Sequence, residues 1–291
     1  MLMLLSLAAA ADPSPAAEVS LWRVRSETIE YYWIPEMVGS AGLFVSYFGL
    51  RSIGPRDTTG VADPSGLDGA GHPRWNESLQ FPSDLFGDPR TLGVVNLPWA
   101  AAIGMGVYGG ARDSSAAAGA AHGLIVIESV AVSIAITESL KLSISRPRPY
   151  TSEAFQEAYP EAYSGEYIQE ELEKEGHYAA WKSMPSGHTS TAAASSFSAA
   201  MLMMMHDERT RVPALAGATL LTATAGALRV QAGVHHPTDT IVGGLLGAGV
   251  GMTTAWMHRS RQPAAEGQAQ LDGLSLTSTG DGVGLRLGGR W

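Results

Sequence analysis

The chain has 291 residues, with 19 Lys and Arg against 28 Asp and Glu, a formal net charge of −9 and no cysteine. A negative chain without a Lys/Arg-rich run is ill suited to nucleic acid, and the lack of cysteine excludes disulfides, thiolate metal sites and cysteine nucleophiles while remaining compatible with an oxidising compartment. Charged residues make up only 16%, below the usual quarter, and with many Ala and Gly at a mean hydropathy of +0.03 they point to closely packed helices in a large core or a membrane.

In chain order, residues 1–11 form a short apolar run ending in small residues, read as an export signal although a basic start is lacking. Residues 12–90 read as an N-terminal helix and irregular segment. Within them, 13–18 are a linker, 19–32 an amphipathic helix of mixed polar and aromatic residues, and 33–50 a first long apolar helix. Residues 51–90, rich in Gly, Pro and Asp, form an irregular excursion, either a cap over a site or a loop. A second apolar run covers 91–110, with Pro98 near its start. A third covers 116–142, where His122, Glu128 and Glu138 break its lipid compatibility. Residues 145–182 are polar and acidic, with Glu153, Glu157, Glu161, Glu166, Glu170, Glu171, Glu173 and Glu175, and read as loop plus short helix with a solvated face.

A fourth helix is expected over 186–206, where the Met cluster at 201–205 serves packing rather than metal binding. A fifth covers 213–228. A sixth, over 239–257, carries Gly243, Gly244, Gly247, Gly249 and Gly251, a close-packing pattern. Residues 258–291 are a tail in which Leu271, Leu274, Leu276, Leu285 and Leu287 alternate around 280–282, as one short β-hairpin that cannot by itself close a barrel. The fold class expected is therefore all-α: a six-helix bundle with its core over 91–257, an irregular N-terminal excursion and a C-terminal hairpin.

Three segments carry reactive side chains. Residues 228–239 place Arg229, His235 and Asp239 within eleven residues between two apolar runs. Pro237 breaks or starts a helix. Asp239 in that helix's first turn sits where the dipole favours negative charge and can hold one nitrogen of a histidine, leaving the other to react. Arg229 brings a permanent charge and forked donors suited to a phosphate-like oxyanion. At the end of the third helix, Lys141 and Arg148 flank a stop set by Pro147 and Pro149 and can converge on one anion. At the start of the fourth, Ser186 is a good N-cap, Gly187 permits close backbone approach, and the free N–H groups cradle an anion next to His188. Each segment alone reads equally as ordinary helix capping. Antiparallel packing with short loops gathers all three on one face, which makes a phosphate site.

The pattern Lys141-x6-Arg148-Pro149, Pro185-Ser186-Gly187-His188 and Arg229-x5-His235-x3-Asp239 resembles the type 2 phosphatidic acid phosphatase (PAP2) superfamily. That superfamily includes class A acid phosphatases, lipid phosphatases and vanadium haloperoxidases. The resemblance covers roughly 91–257, and its spacing is far more specific than one short motif. Leu228 departs from it, standing where the family usually has Ser. The resemblance implies a metal-independent phosphatase acting on phosphomonoesters or diphosphates, lipid phosphates among them, through a phosphohistidine. It implies that His235 is the nucleophile, that Asp239 orients it, and that His188 is the acid and then the base. Lys141, Arg148, Ser186, Gly187 and Arg229 would hold the phosphate. No cofactor is implied, and vanadate is expected to inhibit. The alternatives it leaves are a vanadium-dependent haloperoxidase, with vanadate as cofactor, and a lipid-carrier phosphotransferase.

His236 is adjacent but breaks the spacing and reads as structural, while His72, His122, His177, His206 and His258 have no motif support. The expected partners are a phosphorylated small molecule or lipid and a membrane. The expected location is the cell envelope, with the site facing the periplasm or exterior. If six runs span a bilayer in that sense, Arg112, Arg209, Arg211, Arg259 and Arg261 lie inside, as the positive-inside rule requires. The same parity puts the N-terminus inside, whereas a cleaved export signal puts it outside. Either the signal is retained or one run does not cross, and a soluble periplasmic bundle is the competing arrangement.

Overall fold

The computed structural model of the chain describes residues 18–20, 22–54, 68, 89–158, 160, 179–260, 270–279 and 282–290. The expectations for the export signal at 1–11, for most of the excursion at 51–90 and for the acidic stretch at 161–178 fall outside these residues. The chain divides into two units at Arg259/Ser260. The second contains an antiparallel hairpin of β4 (Gln270–Thr279) and β5 (Gly282–Arg290), where the alternating leucines placed it.

The first unit is helical, as expected. Its long helices among the described residues are α1 (Trp33–Ser52), α2 (Pro89–Arg112), α3 (Ala116–Ile144), α5 (Gly187–His206), α6 (Arg211–Gln231) and α7 (Pro237–Met257), with a short α4 (Glu153–Ala158) between α3 and α5. Local chemistry sets the boundaries. Ser115 caps α3 by accepting from the Ala118 N–H. The same helix ends at Ser145 in the left-handed conformation, just before Pro147, which disfavours helical geometry at Arg146. Pro237 occupies the first turn of α7, where its missing N–H costs nothing.

The expected amphipathic helix over 19–32 is not formed. The segment is instead an antiparallel meander of β1 (Glu18–Val19), β2 (Arg23–Arg25) and β3 (Glu30–Tyr32). Its pattern has period two: Val24 is buried between half-buried Arg23 and Arg25, and Ile29 and Tyr31 are buried likewise. Ser26 closes the turn by accepting from the N–H groups of Thr28 and Ile29. The buried face of the meander joins Ala118, Ala121 and Ile125 of α3 and Leu202 of α5 in one apolar cluster, so it covers the end of the bundle where α3 begins and α5 ends.

The glycines of α7 set its contact with α5. A Cβ at Gly243, Gly247 or Gly251 would lie 2.6, 2.1 or 2.3 Å from the carbonyl oxygens of Ser186, Ser190 and Ala194, so one face of α7 rests on the backbone of α5. Gly249 faces open space. Gly247→Ala is therefore expected to destabilise by about 1–3 kcal/mol through overpacking. Gly249→Ala should be neutral or stabilising by up to roughly 1 kcal/mol, because alanine is the better helix former. Thermal unfolding midpoints of the two variants beside the parent check this, and equal midpoints would contradict the close contact.

Large apolar side chains face outward on several helices: Val45 and Phe48 on α1, Ile103 and Val107 on α2, Leu220 on α6 and Leu245 on α7. No residue of α1 is buried. Two segments, Ala116–Glu157 and Pro237–Met257, are long and apolar enough to cross a membrane.

Candidate active site

The end of α3, the start of α5, the end of α6 and the start of α7 meet at one end of the bundle. Lys141 lies in the last turn of α3, His188 in the first turn of α5, Arg229 in the last turn of α6 and Asp239 in the first turn of α7. The strand-like stretch after α3 joins them through paired backbone bonds: Arg148 N–H to Ala180 O at 2.8 Å and Ser183 N–H to Arg146 O at 3.0 Å. The N–H of Ser186 donates to Asp239 O at 3.0 Å and ties the starts of α5 and α7 together.

These anchors bring the charged groups within electrostatic reach of one another. His188 feels the charges of Arg229, Lys141 and Arg148 and the ring of His235. His235 feels Arg148 and Arg229 in turn. Gly187 lies so close to Lys141 that a Cβ there would stand 3.2 Å from Nζ. Lys141, Arg229, His235, Asp239 and Ser186 are buried, while Arg148 and His188 are half-buried. The eight residues singled out in the sequence therefore lie in one cluster.

Two details differ from the sequence expectation. Ser186 stands at the N-cap of α5 but its hydroxyl makes no capping bond; it accepts from the Thr189 hydroxyl at 3.1 Å, and the first-turn N–H groups of α5 are not taken up by it. Asp239 also has more partners than a lone histidine. Its Oδ2 lies 3.6 Å from His235 Nδ1, longer than a hydrogen bond. The same oxygen accepts from Ser183 Oγ at 2.6 Å and from the His236 N–H at 2.8 Å, while Oδ1 accepts from Arg146 at 2.7 Å. Arg146 reaches Thr238 Oγ1 as well and pairs through its other nitrogen with Asp68. Asp68 accepts in addition from the N–H and hydroxyl of Thr238, capping α7 from outside the helix. Lys141 is paired with Glu138 at 2.6 Å. Arg146, Ser183, Asp68 and Glu138 were not among the residues expected at the site. Arg146 left a trace in the sequence as the first arginine of the Arg-Pro-Arg-Pro run, and Glu138 as a charge inside an apolar run.

The backbone and side chain of His236 form a capping box with Asp239, and its Nε2 lies 3.3 Å from Pro147 O. His235, by contrast, has its Nδ1 buried without a hydrogen-bond partner among the described residues. Burial pushes its pKa down to about 3, with Arg148 and Arg229 adding to the effect and Asp239 opposing it. The ring is thus neutral across the physiological range. With Nδ1 turned toward Asp239, Nε2 is the nitrogen left for chemistry.

A cavity of about 290 Å³ reaches Lys141, Gly187 and His188 at one side. Most of its other walls are apolar, built from Phe44 and Tyr47 of α1, Trp99 of α2 and Ile134 of α3, with Thr137, Glu138 and Thr191 among them. A neutral buried histidine facing a ring of cations, beside an apolar channel, suits displacement at a tetrahedral anion that carries a hydrophobic group.

No curated protein shows a significant match to the chain. Residues 122–263 match the family model described as the PAP2 superfamily, a stretch that holds all the clustered motif residues, and the chain is a member of that superfamily, whose activities are phosphatase-type or related.

Proposed function

We propose that the protein is a metal-independent phosphohydrolase that works through a phosphohistidine and acts on phosphate groups carried by lipids. The observation that carries this reading is the convergence of Lys141, Arg148 and Arg229 on two histidines of unlike surroundings. His235 Nε2 attacks phosphorus while the bond to the leaving oxygen breaks. Burial and the surrounding cations push the His188 pKa well below the usual imidazole range, so His188 takes up its proton when the phosphate anion arrives to offset those charges, and donates it to that oxygen. Water then attacks the phosphohistidine, His188 takes up the water's proton, and phosphate leaves with His235 restored. The cations and the first-turn N–H groups of α5 stabilise the charge that spreads over the non-bridging oxygens, each well-placed donor contributing about 3 kcal/mol. With three side-chain cations in place, the charge that Mg²⁺ supplies in other phosphoryl-transfer sites is provided by the chain itself.

The apolar walls of the cavity next to His188 favour a lipid leaving group over a soluble one. The outward apolar faces of α1, α2, α6 and α7 favour a seat in a membrane, with the site at one surface. The test is a phosphate-release screen across lipid phosphates, isoprenyl diphosphates and soluble monoesters, with His188→Ala as the inactive control. Release should be fastest from a lipid-borne group. Phe44→Ala should raise KM for that substrate about tenfold, as the loss of an aromatic wall allows, while leaving soluble monoesters unchanged. No release from any class would end the proposal, and equal KM effects on both classes would remove the lipid part of it.

A further inference from the structure

The end of the bundle opposite the catalytic cluster holds a second group of ionisable side chains. Asp113 lies in the turn between α2 and α3, His122 in the second turn of α3, and His206 at the end of α5. His188 and His206 terminate the same helix about 27 Å apart at 1.5 Å per residue, so this group is remote from the phosphate site. Asp113 and His122 are fully buried, at 1% and 0% exposure, and the His206 side chain at 4% is nearly so. One ligand atom from each of the three lies within 4.8 Å of the others.

The hydrogen bonds around the group fix which atoms face inward. His122 Nδ1 is 2.7 Å from Ala118 O, and a carbonyl only accepts, so Nδ1 carries the proton and Nε2 the lone pair. That Nε2 faces His206 Nε2 at 2.8 Å. His206 Nδ1 is in turn 3.0 Å from Thr28 Oγ1. Both rings thus direct Nε2 at one point while an oxygen holds the far nitrogen, the arrangement that orients metal-binding histidines. Asp113 Oδ2 lies 3.9 Å from His122 Nε2 and has no hydrogen-bond partner among the described residues, although it is buried. A buried carboxylate oxygen left without a donor is costly unless a cation answers it. Room has also been made for this ring: a Cβ at Gly109 would lie 2.4 Å from His122 Nδ1.

We propose that Asp113, His122 and His206 bind a divalent transition cation of the Zn²⁺ class, and that this cation staples the N-terminal meander to α3 and α5. Two imidazoles and a carboxylate are a Zn²⁺-type donor set, and a fourth position remains for water. Ligand bonds of about 2.0–2.2 Å at tetrahedral angles separate ligand atoms by about 3.4 Å. Two of the observed spacings, 2.8 and 3.9 Å, bracket that value; the carboxylate meets His206 from its Nδ1 side at 3.9 Å, so ion binding draws Asp113 toward the paired Nε2 atoms. The meander takes part because Thr28 holds His206 and the Ser26 hydroxyl donates to Asp113. The site is independent of the phosphatase chemistry at the other end of α5.

The experiment uses the full chain without a histidine tag, purified in detergent, stripped with chelator and titrated with Zn²⁺ by calorimetry and with Co²⁺ by visible absorption. The expected result is one equivalent bound, a tetrahedral Co²⁺ spectrum and a raised unfolding midpoint with Zn²⁺. Asp113→Asn, which keeps the shape and removes the charge, and His206→Gln should each weaken binding at least tenfold and abolish the midpoint rise. Failure of the parent chain to bind a stoichiometric ion overturns the proposal and leaves a plain histidine–histidine hydrogen bond. Undiminished binding in a folded Asp113→Asn or His206→Gln overturns it equally. If His206→Gln does not fold, the isosteric Asp113→Asn and the parent titration decide.

Discussion

Replacing His235 by alanine is expected to lower turnover by roughly 10⁴-fold or more, the scale seen when a catalytic nucleophile is removed. The same change should eliminate any acid-labile phosphoenzyme in acid-quenched reactions with labelled substrate. The reason is geometric and electrostatic together. The ring is neutral because burial and two arginines hold its pKa near 3, so its reactive nitrogen carries a lone pair at any physiological pH. His236 is not free to replace it, being engaged in the α7 capping box and facing Pro147, and the chain has no cysteine. Substrate binding should survive, because Lys141, Arg148 and Arg229 remain, so vanadate or phosphate should still protect the variant against heat. Turnover within tenfold of the parent would refute the nucleophile assignment, and loss of anion protection would show that the variant had lost the site rather than the reaction.

What the sequence made legible follows from the range over which each signal acts. The long helices are marked by apolar runs between local stops such as Ser115, the Pro147–Pro149 pair and Pro237, and the structure starts and ends them within a few residues of those marks. The meander at 18–32 leaves no such mark, because strands of two or three residues offer too few repeats to reveal a period of two. The motif residues were found because the spacing inside each segment is fixed by a single helix end. The partners of Asp239 were not, because Ser183 and Arg146 lie 56 and 93 positions away and Asp68 meets Thr238 across 170. The pairing of His122 with His206 across 84 positions belongs to the same class. No local pattern encodes such contacts; only the packing of α3, α5 and α7 creates them.

Arg146 is the residue that this packing adds to the site, and its removal should have the largest effect of any group that does not face the substrate. Its guanidinium links Asp239 Oδ1 at 2.7 Å with Asp68 and Thr238, and Asp239 is fully buried. Among the described residues, Arg146→Ala leaves the Asp239 charge in the interior with Ser183 and a backbone N–H as donors. Breaking a buried ion pair in this way costs about 3–5 kcal/mol, which should be read as a lowered unfolding midpoint. Asp239 would also lose the contact that sets the direction of its carboxylate, and His235 would lose its orientation, so kcat should fall by about 10²-fold with KM little changed. Arg146→Lys keeps the charge but not the fork that spans two carboxylates, and should fall between. A structural role alone predicts that Asp239→Asn, which neutralises the stranded charge, rescues both stability and activity of Arg146→Ala. Positioning of His235 predicts that the double variant regains midpoint but not kcat, and that the two kcat losses are less than additive because both act through one histidine. Rescue of kcat in the double variant, or a parent-like midpoint in Arg146→Ala, would contradict this account.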